Sequence, residues 1–155
     1  MAKTTCDLYR SVMDKSFEKI KIGIYPGDGV LDPRWEESEY YSKRLDRMMT
    51  IRADVEFEKD KDGLKVLPGK GTSLHDVPKW FPNHDFWIPV GTEYSDELVI
   101  KRDEKKKSSP YNPKLVGHHY QIECKTRMTQ IMMQGYLNNM ARAAVELQCK
   151  LAKKG

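Results

Sequence analysis

Apolar and polar positions alternate through most of the chain and take a helical period clearly only after Cys124, which predicts strands closed by one long helix. Thr5 to Met13 (TCDLYRSVM) puts Cys6, Leu8, Arg10 and Val12 on one face, so an arginine shares a strand face with apolar neighbours. Phe17 to Tyr25 alternates again through Ile20, Ile22 and Ile24 and stops at the turn cluster Pro26-Gly27-Asp28-Gly29. Asp54 to Glu58 and Leu64 to Leu67 read as a hairpin about KDKDG, with Gly63 supplying a positive φ. Further strands are expected at Phe86 to Ile88, Leu98 to Lys101 and His118 to Cys124. In the last of these, His119, Gln121 and Glu123 face one way and Tyr120 and Ile122 the other.

Two segments carry helical spacing. In RWEESEYYSKRLDRMMT, residues 34–50, Trp35, Tyr40 or Tyr41, Leu45 and Met48 or Met49 predict a surface helix, with acids early and bases late as the helix dipole prefers. From Thr126 onward, Met128, Ile131 or Met132, Tyr136 or Leu137, Met140, Ala144, Leu147 and Leu151 form one stripe of a long helix, with Thr126 or Thr129 as its cap. Mostly strands with two helices make the expected class α+β, in a single domain spanning residues 1–155.

Composition narrows the chemistry. The formal net charge is +4, but the excess sits in Lys105 to Lys107 and in Lys150, Lys153 and Lys154, which is no basic stripe for nucleic acid. Cys6, Cys124 and Cys149 are odd in number and lack close metal-ligand spacing, so reduced thiols are expected and no metal site. There is no apolar run of membrane length and no secretory leader, so the expected place of action is the cytosol, away from membranes.

The stretch from Gly69 to Ile100 concentrates the candidate chemistry. A small hydroxylated turn, Gly71-Thr72-Ser73, precedes a loop with Trp80 and Phe81, expected to be exposed, and then a strand whose acid, Asp85, stands before Phe86, Trp87 and Ile88. Structural readings stand beside these. Thr72 and Ser73 would also serve to cap a helix beginning near Leu74, Asp85 to cap a turn, and His75 to sit in the loop. Asp103 to Pro113 reads as a mobile connector.

Several motifs then fall in one order. Leu8-Tyr9-Arg10 resembles the arginine motif of ADP-ribosyltransferases, Gly71-Thr72-Ser73 their serine-threonine-serine motif, and His84 to Pro89 followed by Gly91-Thr92 the strand that carries their acid. With Asp62-Gly63-Leu64, His119-Tyr120-Ile122, and Gly135, Leu137 and Asn139, the chain is similar to type VI secretion effector toxins of ADP-ribosyltransferase-like fold. The resemblance runs from residue 5 to about 150, with a variable zone between Lys15 and Arg52.

That family implies a split antiparallel β core that takes NAD as ADP-ribose donor. Carried across by motif, Arg10 would hold a phosphate or ribose hydroxyl, Thr72 and Ser73 would position the nicotinamide ribose, and His119 would be an active-site residue. Asp85 replaces the usual glutamate, and Asn83 replaces the acid that precedes it in the paired-acid motif. Breaking the nicotinamide–ribose bond builds positive charge on the sugar, which a carboxylate or a polarised hydroxyl stabilises. An arginine suits a pyrophosphate because its planar fork gives charge-assisted bonds. The resemblance also implies an intracellular protein or nucleic-acid acceptor and a cognate immunity protein, with Trp80 and Phe81 either touching the acceptor or forming a hydrophobic lid packed on the core. Two other readings remain open: a metal-independent ribonuclease toxin using His75, His118 or His119, and a non-catalytic binding domain of the same fold.

Overall fold

A computed structural model describes residues 1–12 and 27–154. Its centre is a five-stranded antiparallel sheet built from β2 (Leu8–Val12), β7 (Thr72–His75), β8 (His84–Ile88), β10 (Leu98–Arg102) and β13 (His119–Cys124), in the order β10-β13-β7-β2-β8. Among the described residues four two-stranded sheets accompany it. They pair β1 (Ala2–Lys3) with β9 (Glu93–Tyr94), β3 (Ser38–Ser42) with β4 (Arg47–Ile51), β5 (Phe57–Asp60) with β6 (Gly63–Val66), and β11 (Lys107–Ser108) with β12 (Val116–Gly117). One long helix, α1 (Gln130–Lys154), follows the last strand. The α+β class is that expected, and the extended piece predicted at Phe17 to Tyr25 lies outside the described residues.

Register sorts the sheet into two chemically different faces. Leu8 lies opposite Ile88, Tyr120 opposite Leu74, and Ile100 opposite Ile122. These residues share a face with Phe86, Leu98 and Cys124, and the core joins that face to Met133, Leu137, Met140, Ala141 and Ala144 of α1. The opposite face carries Tyr9, Ser73, His75, Asp85, His119, Gln121 and Glu123. Strand alternation therefore separates Ser73, His119 and their polar neighbours from the core, while Arg10, opposite Phe86, stays on the core face.

The sheet is split at its middle. β2 and β7 are in register only at Tyr9 and His75, after which the two strands diverge. Arg10 reaches into the gap, donating from Nη1 to the Ser73 carbonyl (3.0 Å) and from Nη2 to the Asp32 carbonyl (3.1 Å). These bonds satisfy a strand carbonyl beside the gap and tie down the segment after the Gly27–Val30 turn.

Several sequence expectations are corrected. The surface helix at residues 34–50 is the β3–β4 hairpin, in which Tyr40 opposes Met49 and Tyr41 opposes Met48. The same apolar residues fit either period. The turn decides between them, because Asp46 adopts φ 49° and accepts from the Tyr41 hydroxyl, while the Ser42 Oγ accepts from Leu45 N. Gly71 to Ser73 is the entry to strand β7 and not a turn or a helix cap, and His75 is a buried strand residue. Trp80 is buried and not exposed, its carbonyl taking the Ser109 hydroxyl at 2.6 Å, which also anchors the connector read as mobile.

A further correction concerns the helix stripe. Met133, Leu137, Met140, Ala141 and Ala144 are buried, whereas Ile131, Met132 and Leu151 are exposed. Thr129 is the cap, its Oγ1 accepting from Met132 N at 3.2 Å. Met128 stands before the helix, paired with Val66 through the backbone. Leu137, Met140 and Ala144 are as expected.

Candidate active site beside the split in the sheet

On the polar face, β7 and β13 bring Ser73 and His119 together although 46 residues separate them. His119 Nε2 lies 3.0 Å from Ser73 Oγ, and His119 Nδ1 lies 3.1 Å from Asp103 Oδ2. A carboxylate only accepts, so Nδ1 carries the proton toward Asp103, and in the neutral ring Nε2 is left to accept from the Ser73 hydroxyl. Asp103 is held close because its backbone N–H donates to the His119 carbonyl at 2.9 Å, continuing the β10–β13 ladder.

Ser73 is the shared link, because its carbonyl takes Arg10 and its hydroxyl meets His119. The result is one hydrogen-bonded chain, Arg10–Ser73–His119–Asp103, running from the split in the sheet to its polar surface. Burial pushes the Arg10 guanidinium below its ordinary value, a shift opposed by the Asp54 carboxylate. Its Nε is enclosed without a partner. A buried guanidinium with an unused donor carries an unmet hydrogen-bonding demand.

An aromatic wall stands beside this chain. The His75 ring stacks on Trp80 (centroids 4.3 Å apart, interplanar 11°) and meets His119 edge-on at 5.4 Å. Burial, and after it the proximity of His119, lowers His75 from 6.5 to about 4, so His75 is neutral near pH 7. Because the unfolded chain binds this proton more readily, stability is expected to be fully present above pH 6.5 and to fall as pH drops from about 6.5 to about 4. The loss should be about 2 kcal/mol after allowance for solvent screening, and removed by His75→Phe. Urea midpoints measured across that pH range check it.

The other sequence candidates lie apart. Thr72 points to the core, fully buried, and its Oγ1 donates to the Leu31 carbonyl at 2.6 Å. Thr72→Val should lower stability by about 1–3 kcal/mol in urea unfolding, the cost of stranding a buried carbonyl, without touching the Ser73–His119 contact. Asp85 is on β8, three strand spacings or roughly 14 Å from β13, and its Oδ2 accepts from Lys79 N at 2.7 Å. It steadies a turn in which Lys79 has φ 61°. His118 is bound to Asp76, with Nδ1 3.2 Å from Oδ2.

Two acids gained significance only from the fold. Asp103 was hidden in a charged connector, and its one signal is parity: continued from β10, it shares the face of Lys101, which opposes Gln121. Glu123, on the same polar face, is buried at 2% exposure. Its carboxylate accepts from Gly69 N (3.1 Å) and Gln121 Nε2 (2.8 Å) and pairs with Lys101 Nζ at 2.9 Å. With Gln121 Nε2 also on the Gly69 carbonyl, these two side chains hold the entry to β7. Among the described residues no group of three His, Cys, Asp or Glu side chains converges as a metal site, and no helix is long and apolar enough to cross a membrane.

The family model described as Tse2 ADP-ribosyltransferase toxin matches residues 6–149. A curated relative, "Toxin Tse2" of Pseudomonas aeruginosa, is 32% identical over 95 residues, 60% of this chain and 56% of the relative. The match thus spans little more than half the length of that relative. The family match runs through every strand of the split sheet, the Arg10–Ser73–His119–Asp103 chain and most of α1, and the chain belongs to the Tse2 ADP-ribosyltransferase toxin family.

Proposed function

We propose that this protein is a toxin that takes NAD as substrate and transfers its ADP-ribosyl group to an intracellular macromolecule. The observation that carries this reading is the continuous Arg10–Ser73–His119–Asp103 chain at the split. In this reading the bond between ribose and nicotinamide breaks with its electron pair leaving on nicotinamide, and the acceptor's nucleophile forms the new bond to the ribose carbon. Arg10 keeps its two carbonyl bonds and offers its remaining donors to a phosphate. Ser73 and His119 engage the nicotinamide ribose, and Asp103 keeps His119 in one tautomer and orientation. Thr72 supports Ser73 from the core side, and Asp85 shapes the loop before β8.

Acceptor recognition falls to Phe81 in place of the buried Trp80. Phe81 is half-buried and meets the exposed Tyr111 edge-on at 5.8 Å, giving an aromatic rim beside the site. A protein with this activity in the cytosol requires a neutralising immunity partner in its producer. The test is incubation of the protein with labelled NAD and a cell lysate, reading free nicotinamide and labelled macromolecules, with Ser73→Ala as control. Nicotinamide release and labelling that both need Ser73 support transfer; release without labelling indicates NAD hydrolysis. Cofactor-free cleavage of RNA with no nicotinamide release would replace the proposal with a ribonuclease. Toxicity that survives in the Ser73→Ala and His119→Ala variants would replace it with a binding domain.

A further inference from the structure

The β3–β4 hairpin is the least integrated part of the fold. Among the described residues its strands pair only with each other, and every residue from Glu36 to Tyr41 is exposed. Tyr40, Tyr41, Leu45 and Met48 stand 48%, 53%, 43% and 58% exposed, so the hairpin carries apolar groups on both faces. Two strands alone are marginal in water, and an open edge with central aromatics and no proline is a template for another strand.

The charges on β3 and its flanks are arranged about a centre. Reading outward from Tyr40, Glu39 is matched by Tyr41, Ser38 by Ser42, Glu37 by Lys43, and Glu36 by Arg44. Acids lie on one side and bases at the same distances on the other. A sequence with this antisymmetry is complementary to itself when laid antiparallel. Within one chain Glu36, Glu37, Lys43 and Arg44 have no ion-pair partner among the described residues. Asp46, the acid at the turn, accepts from the Tyr41 hydroxyl.

We propose that the outer edge of β3 is a homodimer interface, occupied by β3 of a second copy in antiparallel register about Tyr40. In that register Tyr40 opposes Tyr40 of the second copy, and Ser38 opposes its Ser42. Beyond the strand ends, Glu37 and Glu36 approach the turn residues Lys43 and Arg44 of the second copy, and each contact occurs twice by symmetry. Two hairpins become one four-stranded antiparallel sheet, which gives the outer edge of each β3 its missing backbone partners and brings Glu36, Glu37, Lys43 and Arg44 near opposite charges. A parallel alignment would set acids against acids. The inference rests on the hairpin alone and stands independently of the NAD reading.

Sedimentation equilibrium of the full chain at several concentrations and salt levels tests it. The expected result is a monomer–dimer equilibrium that weakens with salt. The K43E/R44E variant and the E36K/E37K variant should each dissociate at least tenfold more readily than the parent, because each then presents one sign of charge to itself. Mixed in equal amounts they should recover association as a heterodimer. These positions are exposed, so circular dichroism should report unchanged folds. A parent that stays monomeric throughout, a dimer unmoved by either reversal, or reversed variants that fail to associate when mixed would each overturn the proposal.

Discussion

His119→Ala is expected to slow nicotinamide release from NAD by about a hundred- to a thousand-fold, equivalent to about 3–4 kcal/mol of transition-state stabilisation. His119 joins two otherwise separate groups, taking Ser73 Oγ at Nε2 and Asp103 Oδ2 at Nδ1. Alanine removes both bonds, so the Ser73 hydroxyl loses its acceptor and Asp103 loses contact with the site. The thermodynamic cost to the fold should be small, about 1 kcal/mol or less. The imidazole is one-quarter exposed and Asp103 about half exposed, so water replaces the lost partners. A rate assay paired with thermal unfolding separates the two effects. Asp103→Asn should give a smaller loss, since the imidazole stays and only its orientation is relaxed. Loss of activity with a matching loss of melting temperature would instead make His119 structural.

Gly71→Ala is expected to have the largest effect on folding, destabilising the protein by more than about 3 kcal/mol. A Cβ built at Gly71 lies 1.7 Å from the Ile122 carbonyl oxygen and 2.8 Å from its carbon. The obstacle is backbone of the neighbouring strand, at the place where Thr72 pairs with Ile122, so no rotamer change relieves it. Separating β7 from β13 would also undo the pairing that sets Ser73 beside His119. Against a typical total of about 5–15 kcal/mol, such a cost leaves little folded protein at elevated temperature. Gly135→Ala provides the contrast. It lies inside α1 with nothing within 4 Å of the added carbon, and should stabilise by about 0.5–1 kcal/mol. Denaturant midpoints of the two variants should move in opposite directions.

The sequence by itself determined the strand periodicity and the change of period after Cys124. The alternation of β2, β8, β10 and β13 is local, because successive side chains on a strand must point to opposite faces. So the face shared by Leu8, Arg10 and Val12, and the separation of His119 from Tyr120 and Ile122, were legible without a fold. Arg10, Ser73 and His119 were legible as candidates through the motifs that carry the family resemblance, since Ser73 read by itself suggested a turn and not a strand.

Tertiary structure decided what depended on partners distant in the chain. Residues 34–50 satisfy a helical and a hairpin spacing equally, and the Asp46 turn with its Tyr41 contact selects the hairpin. The helix stripe shifted to Met133 because Met128 is held in a bridge to Val66 and the helix starts after Thr129. Ser73 and Thr72 are neighbours of similar chemistry, yet only register assigns one hydroxyl to His119 and the other to the core carbonyl of Leu31. Asp103 acquired meaning only when the β10–β13 pairing carried it beside His119, while the sheet order set Asp85 three strands away. Periodicity along one strand is fixed by local backbone geometry, but which strands lie side by side, and in what register, is a non-local choice made by packing of the common core.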